Sequence, residues 1–65
     1  MTIYELRGLF IDERQMCYIW ALESEEEIFR GEMSEVPEEI EDIEISSLDN
    51  IYPDNDGYIG INIDM

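Results

Sequence analysis

Pro53-Asp54-Asn55-Asp56-Gly57-Tyr58-Ile59-Gly60-Ile61-Asn62-Ile63-Asp64 is the stretch that decides the fold. It opens on turn-forming residues and ends its turn on Asp-Gly, a dipeptide that tolerates the positive φ of hairpin turns. Strict alternation follows, with Ile59, Ile61 and Ile63 on one side and Tyr58, Gly60, Asn62 and Asp64 on the other. Successive side chains of a strand point to opposite faces, so three isoleucines belong to a core and the polar set faces out. Asp56-Gly57 is expected to form a tight hairpin turn with Gly57 at positive φ. The strand partner lies just upstream, where Ile43, Ile45 and Ser47 alternate with Glu44, Ser46 and Leu48.

Further upstream, Met16 to Leu22 reads as a strand with Met16, Tyr18, Trp20 and Leu22 on one face and Cys17, Ile19 and Ala21 on the other. Tyr18 and Trp20 are read as core residues of this most apolar strand. Aromatic side chains also anchor many protein interfaces, so an exposed patch is the other reading. Ser24 to Glu27 forms an acidic turn, and Ile28 to Met33 a short strand. Pro37 suits a first helical position, Glu38 and Glu39 suit a first turn, and Val36, Ile40 and Ile43 share a face. A helix of about two turns follows from that spacing. Ile3 to Ile11 has apolar residues on both faces and is read as one more strand, hairpinned across Asp12-Glu13-Arg14-Gln15. Thr2 with Glu5 offers the alternative, a capping box opening a short helix. The expected architecture is a single α+β domain over residues 1–65, a small antiparallel sheet of about four or five strands with one short helix.

Sixty-five residues allow one thin core, burying roughly 60% of the surface the unfolded chain exposes. The chain has a single cysteine, Cys17, and no histidine, so neither a disulfide nor a zinc site nor any other cofactor is expected. Cys17 is read as a small buried hydrophobe. Asp54-x-Asp56-Gly57 has the middle of a calcium loop, but the loop's first and last ligand positions fall on Tyr52 and Ile63, which cannot coordinate as required. Carboxylate pairs such as Glu38 with Asp42, or Glu25 with Glu27, lie in polar segments that offer no cleft to shift their pKa values, so no enzyme is expected.

Charge is the dominant feature. Eighteen Asp and Glu stand against three Arg and no Lys, a net charge of −15. Such a charge destabilises the compact state by self-repulsion while favouring solubility. Nucleic acid and anionic membranes would repel the chain. Met1-Thr2-Ile3-Tyr4-Glu5 lacks a basic region followed by an apolar run, so no signal peptide is expected and the location read from the sequence is cytoplasmic.

From Glu23 to Asp49 the chain carries twelve acids against one arginine, Arg30, placing two-thirds of its acid in less than half of its length. Within that tract Glu25, Glu26, Glu27, Glu32, Glu35, Glu38, Glu39, Glu41, Asp42 and Glu44 are the candidate partner-binding residues. Held on folded elements, they would imitate the charge density of duplex DNA. In small size, this tract, the absence of Lys and His and a chain opening at Met1, the sequence resembles the small acidic inhibitors of phages and mobile elements that imitate DNA. That class includes anti-CRISPR proteins, antirestriction proteins and uracil-DNA glycosylase inhibitors. The resemblance implies a non-enzymatic inhibitor in the host cytoplasm, blocking the nucleic-acid channel of a CRISPR effector, a restriction enzyme or a nuclease. It carries no specific motif. An antitoxin or immunity protein neutralising a basic nuclease has the same electrostatics, and a homodimeric structural phage protein is the third reading.

Overall fold

The computed structural model describes residues 1–9, 12 and 14–65. Two antiparallel hairpins supply the sheet: β1 (Met16–Ala21) with β2 (Glu26–Glu32), and β3 (Ile45–Asn50) with β4 (Tyr58–Ile63). The two hairpins join through β1 and β4, which run parallel, giving the order β2-β1-β4-β3. The α+β class of the sequence reading holds. The sheet is mixed rather than wholly antiparallel, because the chain between β2 and β3 crosses the sheet before the second hairpin begins. A parallel pair needs such a crossover. Here it consists of a 3-10 turn (Met33–Glu35) and α2 (Glu38–Glu41).

The crossover and the N-terminal segment cover one face of the sheet. Cys17, Ile19, Ile59, Ile61 and Ile63 meet Ile3, Leu6, Met33 and Val36 there, with Ile28, Phe29, Ile40, Ile43, Ile45 and Leu48 around them. The three isoleucines of residues 58–64 lie as expected, with no exposed surface, but Gly60 and Asn62, expected to face out, are buried as well, because Tyr18 and Asp49 lie against them on the other face of β4. Burying one isoleucine side chain is worth about 1.5–3 kcal/mol, so this layer is the main source of stability.

Residues 3–7 correct the strand expected over 3–11. They form α1 (Ile3–Arg7), opened by the capping box that was the alternative. The Thr2 hydroxyl accepts from the Glu5 amide at 3.2 Å, and the Glu5 carboxylate accepts from the Thr2 amide at 3.0 Å. Ile3 and Leu6 then share the buried side at helical spacing. Phe10 and Ile11, the end of the expected strand, lie outside the described residues. α1 is tied to the crossover by Arg7, which donates to the Glu41 carboxylate at 2.9 Å and lies over the Tyr4 ring at 5.5 Å.

The helix expected after Val36 is shorter than two turns. Pro37 caps α2 rather than starting it, and only Glu38–Glu41 are helical. Val36, Ile40 and Ile43 still pack on the core together. β3 runs from Ile45 rather than Ile43, and its register slips between Ile45 and Ser47 and again between Leu48 and Asn50. Such bulges insert an extra residue and reset the alternation. They let Ile45 and Leu48, of opposite parity, both reach the core.

The hairpin between β3 and β4 is longer than a two-residue turn. Residues 51–57 connect the strands, and the Gly57 amide closes a four-residue turn onto the Asp54 carbonyl at 2.9 Å. The Asp54 carboxylate accepts from the amides of Asp56 and Tyr58 at 2.9 and 3.0 Å. Gly57 has φ 83, the left-handed conformation expected of it. The β1–β2 turn occupies residues 22–25, with Glu25 at φ 54; Glu26 and Glu27, read as part of that turn, begin β2.

Candidate interaction surface

The acid tract follows the crossover around the molecule. Glu25 sits in the hairpin turn, and Glu26, Glu27 and Glu32 lie on edge strand β2. A strand rises about 3.3 Å per residue, so Glu26 and Glu32 are roughly 20 Å apart at opposite ends of the sheet. Glu35 belongs to the 3-10 turn, Glu38, Glu39 and Glu41 to α2, and Asp42 and Glu44 to the passage into β3. Since Ile45 pairs with Ile63 and Ala21 with Ile63, Glu44 returns to the end of the sheet that holds Glu25, but at the opposite edge. The fold therefore brings Glu38, Glu39, Glu41 and Asp42 together and disperses the others along a band.

Three of the ten candidates are paired. Glu27 accepts from Arg30 at 2.6 Å, Glu41 from Arg7 at 2.9 Å, and Glu44 from the Met1 ammonium at 2.7 Å. The hydrogen bond from Arg30 holds the Glu27 carboxyl below its usual range. The hydrogen bond it donates to Glu44 raises the Met1 ammonium. Glu41 is the least exposed of the three acids, at 19%. The other seven have no cation within 4 Å among the described residues. Glu32 accepts from the Ser34 hydroxyl at 3.2 Å.

The face of the sheet away from the helices is a second surface, and it corrects the core reading of Tyr18 and Trp20. Trp20 is 36% exposed, and Tyr18 is half-buried on the same side. Cys17, Ile19 and Ala21 are the covered face of β1, and burial pushes the Cys17 thiol up to about 11. The hydroxyl end of Tyr18 lies over Gly60, and the hydroxyl donates to the Asp49 carboxylate at 3.2 Å. Asn62 donates to the other oxygen of Asp49 at 2.8 Å and to the Ser47 hydroxyl at 3.2 Å. Burial, then the Asp49 hydrogen bond, raises the Tyr18 phenol. The Arg30 guanidinium lies 5.2 Å from the Tyr18 ring centre and 4.9 Å from that of Tyr58. Tyr18, Asp49, Asn62, Arg30 and Tyr58 are thus linked by their own contacts. Sequence reading passed over Arg30, Asp49 and Asn62, although the outward parity of Tyr58 and Asn62 in β4 was visible.

The described residues enclose no pocket, contain no group of three metal-ligating side chains, and include no helix long and apolar enough to cross a membrane. No family model matches the chain, and comparison with curated proteins and with solved structures gave no match.

Proposed function

We propose that this protein is a non-enzymatic inhibitor presenting a DNA-like acidic surface to the nucleic-acid channel of a basic protein, such as a CRISPR effector, a restriction enzyme or a nuclease. Charge density carries the reading. A net charge of −15 along a longest dimension of 28 Å is one charge per about 1.9 Å, against about 1.7 Å for duplex DNA. The unpaired acids sit on a hydrogen-bonded scaffold, so their mutual repulsion is not relieved by internal ion pairs and favours an external cation-rich partner. A partner that grips phosphates with Lys and Arg would displace cations from around these carboxylates as it displaces them from DNA.

The test separates binding from stability. Glu25, Glu26, Glu35, Glu38 and Glu39 are replaced by Gln and Asp42 by Asn, leaving the paired Glu27, Glu41 and Glu44 intact. Thermal stability should hold or rise as repulsion falls. Affinity for a partner captured from cell lysate and identified by mass spectrometry should drop, chiefly through slower association. It should also weaken between about 0.05 and 0.5 M salt and under duplex DNA competition. A flat salt dependence with simultaneous DNA binding would end the mimicry reading. Unchanged affinity in the folded variant would place the functional face elsewhere.

A further inference from the structure

We propose that Trp20 and Glu27 form a receptor for an arginine side chain of the basic partner, on the open face of the sheet; this rests on the reading above that such a partner exists. The molecule already shows the mode of recognition with its own Arg30. That guanidinium stacks near Tyr18 and Tyr58 at 5.2 and 4.9 Å while pairing with Glu27 at 2.6 Å. Aromatic face plus carboxylate is the chemistry that suits a planar guanidinium better than an ammonium.

The next aromatic along β1 on the same face is Trp20, whose cross-strand neighbours are Glu27 on β2 and Asn62 on β4. The pair follows a bulge in which Ile28 is the extra residue of β2; paired side chains of a sheet lie about 5 Å apart at Cβ, within the reach of one guanidinium. Glu27 has capacity to spare. Both bonds from Arg30, from Nε at 2.9 Å and from its terminal nitrogen at 2.6 Å, land on Oε1, leaving Oε2 without a partner among the described residues. Trp20 keeps 36% of its surface open, whereas Tyr18 is tethered to Asp49. The Arg30 seat thus uses Tyr18, Tyr58 and one oxygen of Glu27, and Trp20 with the other oxygen repeats its aromatic-plus-carboxylate chemistry beside it.

Charge complementarity selects a basic occupant over a second copy of this chain. A copy would bring its own −15 and set the acids of both faces against each other. The acid band steers the partner, and Trp20 with Glu27 anchors it at short range.

Trp20 is the sole tryptophan, so its fluorescence reports this position alone. Octa-arginine and octa-lysine peptides are titrated at low salt, with acrylamide quenching of Trp20 as the readout of cover and calorimetry as the readout of affinity. Octa-arginine is expected to protect Trp20 and to bind roughly three- to fivefold more tightly than octa-lysine, the size of an exposed cation–π contact. Trp20→Leu, with its fold checked by circular dichroism, should abolish that preference, octa-arginine losing more affinity than octa-lysine. Glu27→Gln should reduce the preference without unfolding the sheet. Equal binding of both peptides with Trp20 fully quenchable overturns the receptor while leaving the acidic-surface reading intact. Failure of both peptides to bind overturns the basic partner itself, and the receptor with it. Protection of Trp20 that grows with protein concentration, without peptide, assigns this face to a second copy and overturns the proposal.

Discussion

The two faces of this sheet are stabilised by different physics. On the covered face Cys17, Ile19, Ile59, Ile61 and Ile63 have no exposed surface and belong to one apolar cluster. On the other face Tyr18, Asp49 and Arg30 are held by aimed polar contacts near solvent, and the buried Asn62 is satisfied beneath them by Asp49 and Ser47. Burial of apolar area is non-directional and scales with area, so the first face supplies most of the stability. Hydrogen bonds near water contribute about 1 kcal/mol each, so the second face supplies order more than stability. A surface fixed in shape at low cost is suited to recognition, because less entropy is lost when a partner docks.

The largest effect should come from cutting the covered face. Ile61→Ala removes a fully buried side chain between both hairpins and should cost about 2–5 kcal/mol in a denaturant titration. For a domain of this size that approaches the whole stability. A loss under about 1 kcal/mol would mean the covered face is not the tight core described.

Next comes the seam between the faces. A methyl group on Gly60 would collide with the Tyr18 hydroxyl and lie 2.8 Å from the Asp49 Cβ. Gly60→Ala should therefore cost about 1–3 kcal/mol and break the Tyr18–Asp49 hydrogen bond. Adding Tyr18→Ala should recover part of the loss, and strictly additive costs in the double variant would show that the two residues do not press on each other.

Gly57→Val tests the turn rather than either face. Nothing lies within 4 Å of an added Cβ, so the penalty is the strain of φ 83 alone. A β-branched residue in that conformation should cost roughly 1–2 kcal/mol, with the open-face contacts unchanged by NMR.

The smallest expected effects are pH-dependent and lie at the rim. The Met1 ammonium is raised by its bond to Glu44, so its contribution is present below the ordinary amino-terminal range and lost as pH rises through the folded value. Glu44→Gln should flatten the thermal midpoint between about pH 7 and 10. Glu27 and Glu5 are lowered, the first by Arg30 and the second by the Thr2 backbone amide. Their contribution is present at neutral pH and lost as pH falls below the usual carboxylate range. Glu27→Gln should leave a shallower acid limb than wild type, and an unchanged limb would mean the Arg30 pair contributes nothing.

Local chemistry by itself determined the elements whose signals are local. The alternation of Ile59, Ile61 and Ile63, the turn before Tyr58, the positive φ of Gly57 and the burial of Cys17 all follow from residue type and spacing. The capping pair of Thr2 and Glu5 was legible too, and it prevailed over the alternation of the N-terminal segment. Two hydrogen bonds at the first turn specify a helix, whereas a segment with apolar residues on both sides does not specify a strand. The acid band was countable along the chain, but its course around the crossover was not. Only the tertiary structure decided that β1 and β4 lie parallel, that the bulges of β3 turn both Ile45 and Leu48 inward, and that Trp20 looks out. Each depends on which face of the sheet the crossover covers. β1 is apolar on both sides, so its own sequence does not choose between them; the choice is made by Met33, Val36, Ile3 and Leu6, brought from distant parts of the chain to one side.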